Sequence, residues 1–213
     1  MLTARLFTFF NQNIHVKIFI IGKHASGKHE VLNICEQMGL RIGREFSNLS
    51  EYNPTIYMDP NYLKYSQQDI TNIFESHSYM YISGTDPKVI DSYSYFNGLS
   101  YYTYDNSDIM VVDSTHVCDL NKNLIQDDIV FVWMDNNRDM RIRRYAIEDR
   151  KYSFLDREDE EKIYDAEFVK TIYNFKNSNV LYFNNEEPER VAAIIAAIIK
   201  HNDLLDIFIK SFN

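Results

Sequence analysis

Residues 16–28 read Val16-Lys17-Ile18-Phe19-Ile20-Ile21-Gly22-Lys23-His24-Ala25-Ser26-Gly27-Lys28. The first six are nearly all apolar and mostly β-branched, which is typical of a strand in the buried centre of a parallel sheet. Apolar residues then recur at helical spacing from Lys28 to Met38, and Gly39 ends that pattern. A strand, a tight loop and a helix in succession predict the opening of a β-α-β unit.

Three further apolar runs predict more strands of the same sheet. They occupy residues 109–113, 128–134 and 179–183, and helical patterns occupy residues 66–75, 138–150 and 158–175. Pro188 then starts a last helix, because a first helical turn tolerates proline, and an apolar stripe follows it. This alternation predicts a three-layer α/β fold with a mainly parallel sheet, in which ligands bind beyond the carboxyl ends of the strands.

The length and composition of the chain fit one globular domain. Of its 213 residues, 45% are hydrophobic and 25% are charged, close to the averages for soluble proteins. We expect a single domain over residues 1–213 with three parts. These are a core at about 14–40, 108–137 and 176–213, a Tyr-rich insert at about 41–107, and an arginine-rich lid at about 138–165.

Charge and cysteine usage restrict the partners and the compartment. The net charge of −9 argues against stable binding to nucleic acid, because phosphate neutralisation needs a basic face. Two cysteines, Cys35 and Cys118, cannot form a disulfide framework, which suits a reducing cytosol. The longest apolar run, residues 191–199, is about half of what a bilayer requires. We therefore expect a cytoplasmic protein that binds no membrane, and the oligomeric state stays open.

Residues 22–28 fit the pattern G-x-x-x-x-G-K, and we call them the phosphate loop. Backbone N–H groups of such a loop surround a phosphate, glycines permit the curl, and the lysine reaches the β- and γ-phosphate oxygens. A glycine-rich turn without a ligand is the weaker alternative, because a buried strand precedes the loop and a helix follows it. We assign ATP binding to Gly22, Lys23, His24, Ala25, Ser26, Gly27, Lys28 and His29, and we expect Lys28 to be catalytic.

The residue after the loop lysine departs from the usual pattern. His29 stands where a Ser or Thr hydroxyl normally ligates Mg²⁺, and imidazole is a poor ligand for that hard cation. Asp113, at the end of a predicted strand, is the candidate metal ligand, and we expect it to be catalytic by positioning Mg²⁺ and its waters. Its alternative role is to cap Ser114 or Thr115 in a turn. Either Asp113, water and the phosphates hold Mg²⁺, with Ser26 as a further hydroxyl, or turnover has been lost.

Arginines are concentrated after the third predicted strand. Guanidinium groups can neutralise charge on donor and acceptor phosphates, so we expect this segment to close over the transferred group. The expected catalytic arginines are Arg141, Arg143, Arg144 and Arg150. The alternative is an exposed helix whose arginines pair with nearby acids. The acidic run 156–162 indicates a solvated helix start, because acids stabilise a helix N-terminus.

Taken together, the chain resembles nucleoside-monophosphate kinases of the guanylate kinase-like family. The resemblance is carried by residues 20–28, by Gly98-Leu99-Ser100-Tyr101-Tyr102-Thr103, by Met110-Val111-Val112-Asp113, by the arginine-rich segment, and by residues 180–186. Their order agrees with the family from about residue 16 to residue 200. The resemblance implies in-line transfer of the γ-phosphoryl group of ATP, with Mg²⁺, to a nucleoside or deoxynucleoside monophosphate.

The acceptor side is less well marked. The family's acceptor-phosphate motif is not recognisable here, and Arg41 and Arg44 are the basic residues nearest to its place. Tyrosines of the insert could stack on a base or donate to a phosphate. The expected substrate-binding residues are Arg41, Arg44, Tyr81, Tyr101, Tyr102 and Thr103. Two other functions stay open: a kinase acting on another small acceptor, and a kinase-like module that binds nucleotide or protein without turnover.

Overall fold

Two sheets organise the part of the chain that the computed structural model describes. This part comprises residues 16–47, 63–84, 96–117, 119–120, 129–147, 154–155, 158–159, 161–162, 168–171 and 178–200. The strands are β1 (Lys17–Gly22), β2 (Ile42–Gly43), β3 (Phe46–Ser47), β4 (Leu63–Lys64), β5 (Tyr79–Gly84), β6 (Phe96–Ser100), β7 (Ile109–Asp113), β8 (Ile129–Asp135) and β9 (Ser178–Asn184). The helices are α1 (Lys28–Gln37), α2 (Gln67–Glu75), α3 (Tyr101–Asn106), α4 (Ser114–Val117), α5 (Arg138–Ile147) and α6 (Pro188–Lys200).

The larger sheet has five strands in the order β2-β7-β1-β8-β9. Every pairing in it is parallel, and β1 is the central strand between β7 and β8. From β1 the chain first forms β2 and β7 on one side, then crosses to form β8 and β9 on the other. Such a reversal of strand order opens a crevice at the carboxyl ends of the strands, where α/β proteins bind ligands.

Alternate residues of β1 bury opposite faces of this sheet. Ile18 and Ile20 pack with residues of α1 and α6, whereas Phe19 and Ile21 pack with residues of α3, α4 and the second sheet. All six residues of β1 are buried, as expected for a strand covered on both faces. The predicted three-layer α/β fold with a mainly parallel sheet is confirmed.

The predicted elements that fall within the described residues are confirmed with small shifts at their ends. Of the helix predicted at 158–175, the structure describes only residues 158–159, 161–162 and 168–171. The strand predicted at 109–113 has those bounds, and the strands predicted at 128–134 and 179–183 differ by one residue at each end. Helix α2 begins one residue later than expected, because Ser66 and Asp69 form a capping box in which each side chain accepts the other's backbone N–H. Helix α5 is described as far as Ile147, and residues 148–150 lie outside the described part.

The second sheet belongs to the insert and has the order β4-β3-β6-β5. Strand β6 is antiparallel to both β3 and β5. Phe46, Ile70 and Phe96 form a small separate core, and Tyr65 stacks on Phe46 with ring centroids 5.1 Å apart. Because β3 follows the carboxyl end of β2 directly, the insert rises from the same edge of the main sheet as the phosphate loop.

The structure bears on two features of the sequence, its apolar runs and its cysteines. No helix within the described ranges is long and apolar enough to cross a membrane. Cys35 is a buried free thiol on the core side of α1, and burial raises its pKa to about 12. Cys118 lies outside the described residues.

The amino end of β1 is fixed by one buried ammonium group. Lys17 donates from Nζ to the carbonyl oxygens of Tyr104 and Ser107, each at 2.7 Å, and lies 4.9 Å from the centre of the Tyr104 ring. These carbonyls belong to the end of α3 and the turn before β7. The Lys17 side chain therefore connects β1 to the end of α3 and to the turn before β7, at the edge of the sheet opposite the phosphate loop.

Lys17→Met should destabilise the protein, because the carbonyls of Tyr104 and Ser107 lose a charged donor while the apolar stem is kept. We expect urea denaturation to give a free energy of unfolding lower by about 2 kcal/mol or more. Lys170→Met is the matched control, since Lys170 is exposed. Equal free energies of unfolding for the two variants would contradict this account of Lys17.

Candidate active site

The phosphate loop has a curled backbone. The φ angle is +59° at Ala25 and +91° at Gly27, both in the left-handed region. Left-handed residues among ordinary ones give the concave arrangement of N–H groups that binds anions in phosphate loops. Gly27 also precedes α1 without a side chain to cap the first N–H groups of that helix. The predicted loop thus has the backbone shape that its chemistry requires.

Lys28 lies within this curl rather than on the protein surface. Its Nζ donates to the carbonyl oxygens of Gly22, at 2.8 Å, and Lys23, at 2.9 Å. The residue is only 3% exposed. The ammonium group is therefore held at the start of the loop, within reach of any anion that the loop surrounds.

Two buried polar atoms beside the loop have no hydrogen-bond partner among the described residues. They are the hydroxyl oxygen of Ser26 and the Nη1 of Arg144. The guanidinium of Arg144 lies so close to Gly27 that a Cβ on that residue would overlap Nη1. A buried donor without an acceptor is costly, and a charged donor more so. A phosphate oxygen in the loop is the kind of acceptor that would satisfy Arg144, so the residues present fit a bound polyphosphate.

A buried ion pair clamps the loop from the lid side. Arg141 donates from Nε to the carbonyl oxygen of His24 at 2.9 Å and from Nη2 to Glu161 at 2.5 Å. The other carboxylate oxygen of Glu161 accepts the backbone N–H of His24 at 2.5 Å. The two lid side chains therefore hold both polar groups of one loop residue.

Glu161 was expected in a solvated helix start, and that expectation is wrong for this residue. Its side chain is 1% exposed, whereas the neighbouring Asp159 is 75% exposed. Burial raises the pKa of Glu161, and the Arg141 guanidinium and the His24 N–H act in the opposite direction. The acidic run does not indicate that Glu161 is buried, because its partner Arg141 lies twenty residues earlier in the chain.

The remaining arginines have different surroundings. Arg141 and Arg144 point toward the loop from one face of α5, as their spacing predicts, whereas Arg143 is exposed. Arg138 is also exposed and pairs with Glu158 at 2.8 Å. Arg150 lies outside the described residues. The structure thus brings two of the four predicted catalytic arginines to the phosphate loop.

Asn136 is a site residue that the sequence analysis does not identify. Its Nδ2 donates to the carbonyl oxygen of Ser26 at 2.7 Å, and the residue is 5% exposed. It immediately follows β8, at the carboxyl edge where the loop lies. The polar turn after an apolar strand is the available sign, but this sign does not distinguish Asn136 from the exposed Asn137 beside it.

The assignment of Asp113 as a metal ligand stays a prediction, for which the structure gives the backbone position only. Asp113 pairs with Gly22 in the register of β7 and β1, so it ends its strand beside the start of the loop. Its side chain lies outside the described part. No group of three or more metal-ligating side chains occurs among the residues that are described. A Mg²⁺ ion would have to be held by Asp113, by nucleotide oxygens and by the nearby Ser26 hydroxyl, and it would neutralise phosphate charge there.

The two arginines predicted to bind the acceptor phosphate lie away from the loop. Arg41 pairs with Asp108, and its carbonyl oxygen accepts the Asp108 N–H, which precedes β7 at the amino edge of the sheet. Arg44 donates to Glu36 at 2.9 Å and to Asn33 at 3.0 Å, both on α1. These contacts tie β2 to its neighbours, and the structure does not bring either guanidinium to the phosphate loop.

The substrate-binding residues predicted in the insert differ in burial and in contacts. Tyr81 is buried between the two sheets, and Tyr102 is 76% exposed. Thr103 is buried, and its backbone N–H donates to the Ser100 hydroxyl that caps α3. Tyr101 has a buried hydroxyl with no hydrogen-bond partner in the described part, and burial raises its pKa. Tyr81 is therefore the predicted residue best placed on the insert side of the crevice.

Removing one partner of the Arg141–Glu161 pair should destabilise the fold strongly. Arg141→Ala leaves the Glu161 carboxylate buried with only the His24 N–H, and we expect a loss of about 3–5 kcal/mol in the free energy of unfolding. The double variant Arg141→Met/Glu161→Met should recover most of that loss, because no uncompensated charge remains. Chemical denaturation of the three proteins measures both effects.

Arg138→Ala is the matched control on the same helix, since Arg138 forms an exposed pair with Glu158. It should leave the free energy of unfolding almost unchanged. A loss for Arg141→Ala no greater than for Arg138→Ala would show that the clamp is not a buried ion pair.

Comparison with known proteins leaves the family of this chain open, since no known protein family and no curated protein matches it. Similar solved structures include shikimate kinase from Acinetobacter baumannii in complex with shikimate, at 12% identity and a TM-score of 0.45, covering 88% of this chain and 94% of that one. Deoxyadenosine kinase from M. mycoides with bound dCTP has the same identity and TM-score, with coverage of 86% and 98%. A sugar kinase from Janibacter sp. gives 11% identity, a TM-score of 0.36, and coverage of 84% and 91%. All three TM-scores lie below 0.5, so the interpretation of the site rests on its own geometry.

Proposed function

We propose that the protein is a phosphotransferase that uses ATP as the donor and a small nucleoside-type molecule as the acceptor. The observation that carries this proposal is the buried Nη1 of Arg144, which has no partner among the described residues and lies against Gly27 of the curled loop. A bound anion would supply the hydrogen-bond acceptor that Nη1 of Arg144 lacks among the described residues. The G-x-x-x-x-G-K pattern of the loop specifies that the anion is a polyphosphate.

The residues divide the work of transfer among them. The loop N–H groups hold the donor phosphates, Lys28 neutralises charge at the transferred group, and Arg144 adds a second cation from the lid side. Arg141, Glu161 and Asn136 fix the loop so that these groups need no reorganisation. Phosphoryl transfer of this kind depends on positioning and charge, so no nucleophilic side chain is required.

The acceptor implied by the resemblance is a nucleoside or deoxynucleoside monophosphate, bound between the insert and the lid. ATP and Mg²⁺ are the implied donor and metal. The exposed Arg143 is a cation on the lid that could meet an acceptor phosphate. A kinase-like module without turnover is the second candidate, and the presence of His29 in place of a hydroxyl residue favours it.

Lys28→Met should strongly reduce ADP release, because the cation at the transferred group is lost. The free energy of unfolding should also fall by about 2 kcal/mol, as for Lys17→Met, because the carbonyl oxygens of Gly22 and Lys23 lose a charged donor. We expect the rate to fall at least about 100-fold, since a buried cation that stabilises transition-state charge contributes that much or more. A coupled assay for ADP, run with a panel of nucleoside monophosphates and with nucleosides, measures the rate.

Lys200→Met is the matched control, because Lys200 ends α6 at the edge opposite the loop and is exposed. Full activity of Lys28→Met would refute the proposed transfer. Binding of ATP without ADP release for any acceptor would instead support the module without turnover.

A further inference from the structure

We infer that a second polar cluster, formed by Glu45, Tyr81, Asn97 and His116, receives the acceptor and takes an uncharged hydroxyl group rather than a phosphate. This inference rests on the proposed transfer from ATP and names the class of acceptor for it. We call these four residues the acceptor cluster.

The acceptor cluster is held together by direct contacts. Tyr81 donates from its hydroxyl to Oε1 of Glu45, and Nδ1 of His116 lies 3.6 Å from the same oxygen. Nδ2 of Asn97 lies 3.5 Å from that imidazole nitrogen, and the rings of Tyr81 and His116 are 5.6 Å apart. Glu45, Tyr81 and Asn97 are each less than 10% exposed, and the His116 side chain is 15% exposed.

Four separate segments bring these side chains to the carboxyl edge of the main sheet. Glu45 lies between β2 and β3, Tyr81 is in β5, Asn97 is in β6, and His116 is in α4. His116 follows Asp113 by three residues, and Asp113 pairs with Gly22 at the start of the phosphate loop. The acceptor cluster and the donor loop therefore lie at the same edge of the main sheet.

The chemistry of the acceptor cluster selects against a phosphate. A buried carboxylate repels a second anion placed beside it, whereas it accepts a hydrogen bond from a hydroxyl group readily. The two cations predicted for an acceptor phosphate are held elsewhere, Arg41 by Asp108 and Arg44 by Glu36. A carboxylate, an amide, a phenol and an imidazole suit a neutral molecule with several polar groups, such as a nucleoside.

The cluster is also more polar than packing at this position requires. Tyr81 belongs to the apolar core between the two sheets, together with Leu99 and Val117. Apolar residues of similar volume would fill that core without the cost of desolvating a carboxylate. In this assignment, the Glu45 carboxylate accepts a hydrogen bond from the ligand as well as from Tyr81.

The transfer step then balances as follows. The acceptor hydroxyl oxygen forms a bond to the γ-phosphorus while the bond from that phosphorus to the β–γ bridging oxygen breaks. The bridging oxygen keeps the electron pair and leaves as part of ADP. The hydroxyl proton passes to the carboxylate of Glu45, which makes Glu45 a catalytic residue in this assignment.

The test compares uncharged and charged acceptors on the full chain. The common nucleosides and deoxynucleosides, and their 5′-monophosphates, are assayed by coupled ADP release with wild-type protein and with Glu45→Gln. We expect ADP release with at least one nucleoside and none above background with the monophosphates. Glu45→Gln should lower kcat for that nucleoside about 100-fold or more and leave the KM for ATP within about twofold, as expected for loss of a general base.

Glu36→Gln is the matched control, because Glu36 is an exposed carboxylate outside the acceptor cluster that pairs with Arg44. The activity of this variant should equal that of the wild type. ADP release with monophosphates alone would overturn the inference and leave the proposed function standing. Absence of ATP binding would overturn both. If Glu45→Gln does not fold, Tyr81→Phe and the acceptor panel on the wild type still decide, because a panel without nucleoside turnover overturns the inference.

Discussion

The close approach of the Arg144 guanidinium to Gly27 is the contact on which the site depends. The contact requires a residue without a side chain at Gly27, because a Cβ there would overlap Nη1 of Arg144. Arg144 belongs to α5, the helix that follows β8. The contact leaves one buried guanidinium nitrogen, Nη1, with no hydrogen-bond partner among the described residues. In the proposed function, a bound polyphosphate would offset the cost of this buried donor.

The sequence predicts the core of the fold well because that core is formed by local patterns. Strands buried on both faces are continuous apolar runs, and β1, β7, β8 and β9 could each be read from the chain within one residue. The phosphate loop is equally local, since seven consecutive residues contain its chemistry. Asn136, Glu161 and Glu45 could not be predicted, because their roles come from partners between 20 and 137 residues distant. The same limit applies to the two predicted acceptor arginines. Arg41 lies at the amino edge of the sheet beside Asp108, and Arg44, although it follows β2, directs its guanidinium to Asn33 and Glu36 of α1.

Donor and acceptor sides of the crevice have opposite electrostatic character. The donor side contains Lys28 and Arg144, and the acceptor cluster contains the buried carboxylate of Glu45. In the proposed function, the first would attract a polyphosphate and the second would accept a neutral hydroxyl compound. This asymmetry would orient two substrates for in-line transfer without a nucleophilic side chain. Arg141 and Glu161 bind both backbone polar groups of His24 in the loop.

Calorimetric titration of inorganic triphosphate into wild-type protein and into Arg144→Met measures the central contact directly. The ligand contains only the anion, so its binding does not depend on which base or acceptor the protein selects. We predict saturable binding by the wild type and an affinity about tenfold or more lower for Arg144→Met, since hydrogen bonds to a charged group typically contribute about 1.5–3 kcal/mol. Equal affinities for the two proteins, or no binding by the wild type, would contradict the assignment of residues 22–28 and Arg144 as a polyphosphate site.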